Sequence, residues 1–356
     1  MDLALTEEHS LLRDTVRRFS DNEITPYIQE WDRAQTSDPA LLRKMADLGL
    51  LGICIPARYG GAGMDYLSLG LACEELERGD TSARTVLSVH VGLNSLTLLQ
   101  WANEDQKQRY LAPQATGEAV AAFGLTEPNA GSDVAAIQTY AVRAGGSYVL
   151  NGEKTWISLA DVADHFLVFA KTDREAAHRG ISAFLVERSF PGVSTSSIHG
   201  KLGVRAGNAG SIAFQNARVP VENRVGEEGE GFKIAMSALD KGRFTVAAGA
   251  VGTIAACLDA SVQYANSRKT FGEPIGKKQL VQQMIARMAQ AKEIGRLLYY
   301  QVAWRMNCGL RTTREVSLAK WTNCDAALQS ANDAIEIHGA YGYTDEFPVE
   351  RYFRNA

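Results

Sequence analysis

The chain has 356 residues, a formal net charge of −4 and a pI near 5.9, with Lys and Arg spread along it. That balance excludes nucleic acid and anionic membrane surfaces as partners, and the length asks for two or three packed units rather than one core. No stretch reads as a membrane span, the opening Met1-Asp2-Leu3-Ala4 lacks a secretory pattern, and Cys54, Cys73, Cys257, Cys308 and Cys324 show no paired spacing. The expectation is a cytoplasmic protein with reduced, mostly buried thiols and no metal site.

From Thr6 to about Leu111 the period is helical, with Leu11, Leu12, Val16 and Phe19 on one stripe and Leu41, Leu42, Met45 and Leu48 on another. Thr6 before Glu7 and Glu8 is an N-cap with favourable dipole charges. The segment Ile55-Pro56 to Gly63 reads as a loop, and Gly60-Gly61-x-Gly63 as a turn rather than a dinucleotide fingerprint, since no strand precedes it. Between about Phe123 and Glu222 the period shortens to strands at Phe166 to Phe169, Ile181 to Val186 and Ser211 to Phe214. Asn151-Gly152 between Tyr148-Val149-Leu150 and Thr155-Trp156-Ile157 predicts a hairpin.

After Gly229 three long helices are predicted: from about Glu230 to Ser267, Lys278 to Asn307 and Thr313 to His338. The second carries Leu280, Met284, Met288, Ala291, Gly295, Leu298 and Val302 at steps of three and four, and Thr312-x-x-Glu315 has capping-box spacing. Three such helices leave one side of a four-helix bundle open, to be filled by a further C-terminal helix or by another chain. The expected fold is α+β: an N-terminal helical domain (1–115), a central small β-barrel or sandwich (116–228) and a C-terminal helical bundle (229–356).

Three blocks carry a resemblance. They are Phe123-Gly124-Leu125-Thr126-Glu127-Pro128-Asn129-Ala130-Gly131-Ser132-Asp133 with Asn151-Gly152-Glu153-Lys154-Thr155-Trp156-Ile157-Ser158; Leu239-Asp240-Lys241-Gly242-Arg243 with Arg268-Lys269-Thr270-Phe271-Gly272; and Ala334-Ile335-Glu336-Ile337-His338-Gly339-Ala340-Tyr341-Gly342-Tyr343. In order and spacing they resemble the acyl-CoA dehydrogenase family. The resemblance implies FAD as cofactor, with Phe123, Leu125, Thr126, Gly131, Ser132, Trp156, Ile157 and Ser158 around the flavin. It also implies that Arg268, Thr270 and Phe271, with Gln279 close by, reach the pyrophosphate and adenosine from a neighbouring subunit, and that Glu336, Gly339 and Ala340 belong to a third FAD block. An aromatic wall with a few fixed donors suits a flat flavin ring, and an Arg fork suits a diphosphate. Glu336 and Ala340 depart from the usual Gln and Gly. The bland alternatives are β-favouring strand residues at Thr126 and Trp156 and a helix C-terminus at Arg268.

Ser132, Asp240 and Arg243 match acyl-CoA contacts, and the implied reaction is Cα–Cβ desaturation of a short thioester. The family's Glu base is expected C-terminal to Ala356, and Gly242 occupies the place where a minority of members carry it. Glu77 and Arg84 match the glutaryl-type branch, where an Arg binds a second carboxylate, with Thr85 replacing a Ser; the alternative places Arg84 on a solvated helix end. Open alternatives are a butyryl-type enzyme, an oxidase, a nitroalkane oxidase or hydroxylase on the same scaffold, and a non-catalytic acyl-CoA-binding protein. The resemblance further implies electron-transferring flavoprotein as acceptor and a homotetramer.

Overall fold

The computed structural model describes residues 4–356; Met1, Asp2 and Leu3, read for targeting signals, lie outside the described residues. The first helix, Glu7–Glu23, starts where expected: Thr6 Oγ1 accepts from His9 N at 3.2 Å and His9 Nδ1 accepts from Thr6 N at 3.4 Å. Val16 and Phe19 are buried, but Leu11 is exposed, as is Leu48 after the helix Ala40–Asp47. The helices Tyr66–Gly79 and Thr81–Val86 meet at Asp80, whose carboxylate accepts from Ser82 N at 2.8 Å and so caps the second. The chain then widens into a π-helical stretch, Leu87–Ser95, where Asn94 Nδ2 donates to Val89 O and Ser95 Oγ to His90 O, each at 2.9 Å.

Eight strands form the central sheet: β1 (Ala121–Gly124), β2 (Tyr140–Ala144), β3 (Ser147–Ser158), β4 (His165–Lys171), β5 (Ile181–Glu187), β6 (Val193–Ser197), β7 (Ala209–Pro220) and β8 (Arg224–Val225). Their order is β6-β7-β3-β2-β4-β5-β8, with β1 parallel to β4. The expected hairpin at Asn151-Gly152 is absent, because both residues lie inside the continuous strand β3. The turn is made instead by Gly145-Gly146, which joins Ala144 to its partner Ser147 with Gly145 at φ 63°. Gly152 marks an irregularity in the β3–β7 pairing, at φ 140°, where a Cβ would stand 2.5 Å from Thr139 Oγ1.

The bundle helices are Gly231–Ser267, Gln279–Asn307 and Thr313–His338, within a residue of the expected limits. Three details differ. Leu280 is exposed, Thr312 makes no side-chain cap, and Glu315 faces Arg305 at 3.6 Å instead of reaching back to the cap. The first bundle helix also contains an 18-residue window of mean hydropathy 1.5, long and apolar enough to span a bilayer by composition, contrary to the sequence expectation. Of that window 72% is buried inside the protein, so its apolar residues serve the core.

One flank of the bundle is covered by Tyr66–Gly79 from the N-terminal region: a Cβ on Gly252 would fall 2.1 Å from Glu74 O. Glu74 is buried there and accepts from Arg296 Nη2 and Tyr299 Oη, both at 2.6 Å. The short helix Val349–Asn355 ties the far end to the N-terminal region through Arg354 and Asp32 at 2.7 Å and Arg351 and Asp80 at 3.2 Å. All five cysteines are free, with Cys73 and Cys257 buried, Cys54 and Cys324 half-buried and Cys308 exposed, so fewer are buried than expected.

Candidate functional site

The first cluster forms where β1 runs out beside β3. Phe123 is buried against Phe169, with ring centroids 5.1 Å apart, and Leu125 is buried next to it. Thr126, half-buried, accepts from Thr155 N at 2.9 Å through its carbonyl. Beneath it, fully buried Lys154 donates to Leu125 O at 3.1 Å and to Glu127 Oε1 at 2.7 Å. Burial pulls the Lys154 ammonium down to about 8, against the opposing attraction of Glu127. Burial raises the Glu127 carboxyl, but the Lys154 charge and hydrogen bonds outweigh it and leave Glu127 below the usual range. At neutral pH the pair is therefore ionised.

Past Lys154 the pairing of β3 with β7 shifts register, and Trp156 takes φ 58°. The bulge keeps Ile157 buried while Trp156 stands 62% exposed, so Trp156 offers its ring to the outside. Ser158 is half-buried, and Gly131 and Ser132 lie exposed in the loop beyond Ala130. Trp156, Ser158, Thr85, Leu202 and Asn208 border one cleft. Lys201 closes the bordering loop on itself, donating to Val204 O at 2.7 Å and also to Gly207 O.

Arg84 is buried, not on a solvated helix end. Its Nε pairs with Glu77 and its Nη1 donates to Ser88 Oγ at 3.0 Å, while Nη2 has no hydrogen-bond partner among the described residues. Glu77 also accepts from Thr253 Oγ1 at 3.2 Å and Thr81 Oγ1 at 3.3 Å, and Ser88 Oγ donates to Thr245 Oγ1 at 2.8 Å. The pair thus lies between Thr81–Val86 and the first bundle helix, where Gly249 makes room for it. About two turns earlier on that helix Asp240 and Arg243 pair at 2.7 Å, and Gly242 faces Leu93.

The third cluster sits at one end of the bundle. Lys269–Thr270 and Glu273–Pro274 form a two-residue hairpin whose tip, Phe271-Gly272, has both φ angles positive at 52° and 82°. Such a turn favours Asn-Gly, so Phe271 is held in a strained conformation with its side chain 98% exposed. The Arg268 guanidinium makes no ion pair or hydrogen bond among the described residues and lies 5.8 Å from the Tyr341 ring. That contact joins the hairpin to the turn Gly339–Tyr343; Glu336, Gly339, Ala340 and Gln279 are all exposed. The structure therefore gathers the expected residues into three groups. Sequence reasoning left Lys154, Ser88 and Gly249 without roles, although a Lys within a strand block was a visible signal for the first. Among the described residues no group of three or more His, Cys, Asp or Glu is placed to hold a metal ion.

Comparison with known proteins adds three family matches: acyl-CoA dehydrogenase, N-terminal domain, over residues 6–118; middle domain, over 122–217; and C-terminal domain, over 229–356. The short-chain specific acyl-CoA dehydrogenase of Clostridium acetobutylicum is 41% identical over all of this chain and 94% of its own length. The glutaryl-CoA dehydrogenase of Desulfococcus multivorans is also 41% identical, over 100% of this chain and 92% of its own. Among solved structures, a chain from work on the electron transferring flavoprotein of Acidaminococcus fermentans superposes with a TM-score of 0.98 at 43% identity, covering 100% of this chain and 93% of the other. Glutaryl-CoA dehydrogenase of Mycobacterium smegmatis in complex with FADH2 gives 0.93 at 33%, covering 99% and 89%.

Proposed function

The chain belongs to the acyl-CoA dehydrogenase family, FAD-dependent oxidoreductases acting on CH–CH groups, and on that premise we propose that it desaturates a short dicarboxylyl-CoA such as glutaryl-CoA. The observation that carries the substrate class is buried Arg84, oriented by Glu77 and Ser88 and left with one guanidinium nitrogen unpartnered. A carboxylate at the far end of a short acyl chain meets that nitrogen in a charge-assisted hydrogen bond. Because Glu77 already balances the Arg84 charge, a neutral butyryl tail is the competing occupant, and the Clostridium relative supports it.

The first cluster fits a flavin. The exposed Trp156 ring gives a flat apolar wall, Thr126 and Ser158 give hydroxyls at its edge, and Arg268, whose guanidinium has no ion pair or hydrogen bond among the described residues, suits a diphosphate. When bound, FAD supplies the two-electron acceptor for the hydride leaving Cβ. The chain's own residues bind and orient: Arg84 the acyl end, Asp240, Arg243 and Ser132 the CoA portion, and Trp156 with Thr126 and Ser158 the ring. Gly242 has no side chain with which to take the Cα proton. The reading carries with it electron-transferring flavoprotein as acceptor, supported by the Acidaminococcus likeness, together with a cytoplasmic homotetramer in which Arg268, Thr270, Phe271, Gln279, Glu336, Gly339 and Ala340 face a neighbour's cofactor.

The test is an anaerobic titration of the FAD-loaded protein with glutaryl-CoA and with butyryl-CoA, following flavin absorbance. Bleaching by glutaryl-CoA that disappears in Arg84→Met supports the proposal. Bleaching by butyryl-CoA alone transfers the chain to the monocarboxylic branch, and the absence of both bleaching and a perturbed flavin spectrum with either ester removes both readings.

A further inference from the structure

We propose that Lys154, acting through Leu125 O and Glu127, is a positioning residue that fixes the Leu125 and Thr126 peptide and the Trp156 bulge as one rigid flavin support. The inference rests on the FAD reading above.

Lys154 is fully buried, and its ammonium reaches two acceptors, Leu125 O at 3.1 Å and Glu127 Oε1 at 2.7 Å. Glu127 in turn accepts from Gln138 N at 2.5 Å and Thr139 N at 3.0 Å, so one carboxylate closes the loop from Leu125 to Thr139. An apolar pair of similar volume would fill this space without the desolvation cost of two charges. The charges gain direction instead, because each hydrogen bond aims a particular backbone group.

A trans peptide points its C=O and N–H to opposite sides. With Leu125 O drawn inward to Lys154, the Thr126 N–H is turned outward, and it has no hydrogen-bond partner among the described residues. The next carbonyl, Thr126 O, is held by Thr155 N at 2.9 Å. Consecutive residues of β3, Lys154 and Thr155, thus clamp consecutive carbonyls of the loop after β1.

The same place is where the pairing of β3 with β7 shifts register. Lys154 pairs with Ile212 and Ile157 with Gly210, so two residues of β3 stand opposite one of β7, and Trp156 is turned outward at φ 58°. The clamp therefore ties an outward backbone donor and an outward aromatic ring into one unit. A preorganised donor of this kind stabilises charge at a polar cofactor edge without reorganising.

The experiment uses the full-length protein stripped of FAD and compares wild type with Lys154→Met/Glu127→Gln, which removes both charges together, and with Glu127→Gln alone. Thermal unfolding of each apoprotein checks the fold. FAD affinity by quenching of flavin fluorescence, the visible spectrum of bound flavin and its midpoint potential are then measured. The proposal expects the folded double variant to bind FAD about ten-fold more weakly, the size of one good hydrogen bond, with a shifted spectrum and potential. It expects Glu127→Gln to move the same three readouts in the same direction by less. Wild-type affinity, spectrum and potential in either folded variant would overturn it. Failure of wild type to bind FAD at all would overturn the FAD reading itself, and the positioning role with it.

Discussion

Gly249 limits the Arg84–Glu77 pair more tightly than either charged residue does, since a Cβ there would stand 2.1 Å from Glu77 Oε2 and 2.9 Å from Arg84 Nε. Gly249→Ala must therefore displace the pair; a loss of about 1–3 kcal/mol is expected from overpacking, read as a lowered urea midpoint. Flavin bleaching by glutaryl-CoA should weaken with it while FAD affinity stays as in wild type. The two charged residues were legible seven positions apart in one segment. Gly249 and Thr253 were not, because their meeting with Glu77 is made by packing across more than 160 residues of chain.

A second residue-scale consequence concerns protons. Buried His90 accepts from Ala121 N at 3.2 Å through Nδ1 and donates from Nε2 to Gln114 O at 2.9 Å, which fixes it neutral. Gln114 Nε2 then meets His165 Nε2 at 2.6 Å. Burial pushes both imidazoles down to about 4, and His165 is lowered further by His90. Above about pH 6.5 both are neutral whether folded or unfolded, and their contribution is fully present. As pH falls from about 6.5 to about 4 the unfolded chain takes up protons that the folded one refuses, so stability drops, by at most about 3 kcal/mol per imidazole. Urea midpoints at intervals across that window should fall, and fall less steeply in His165→Asn.

At the scale of elements, β3 shows how pairing overrides a local turn signal. Asn151-Gly152 has the composition of a hairpin, yet β3 pairs with β7 on both sides of it, and the strand continues with Tyr148, Leu150 and Lys154 all buried. Gly152→Ala would place a Cβ 2.5 Å from Thr139 Oγ1 and 2.7 Å from Thr139 Cα, so a loss of about 2 kcal/mol or more is expected in thermal unfolding. Gly145→Asn is the control: nothing lies within 4 Å of its Cβ position, and φ 63° is a conformation that Asn accepts, so its unfolding temperature should match wild type. The bundle helices were legible to within a residue because Gly229, Arg268 and Gly339 punctuate long periodic runs. Strand partners and the bulge at Trp156 were not, because β7 follows β3 by 50 residues and no local spacing encodes that choice.

At the scale of the molecule, the proposed cofactor residues divide between the β1–β3 edge and the end of the bundle, and the proposed function has the second group meet another chain. Phe271 is 98% exposed at a positive φ, a strained and open placement for a large apolar ring, and Arg268 beside it has no ion pair or hydrogen bond from its guanidinium among the described residues. If a neighbouring protomer's cofactor is what these residues meet, FAD affinity must rise with protein concentration, since binding and association are then linked. Phe271→Ala should weaken both FAD binding and self-association, measured by flavin titration at two protein concentrations and by sedimentation. Glu336→Gln should act in the opposite sense on FAD alone, because it removes a carboxylate beside a diphosphate; a tightening of about 0.5–1 kcal/mol is the scale of an exposed charge contact. FAD affinity that is independent of protein concentration and indifferent to Phe271→Ala would place the whole cofactor within one protomer, and the exposed hairpin would then serve association only.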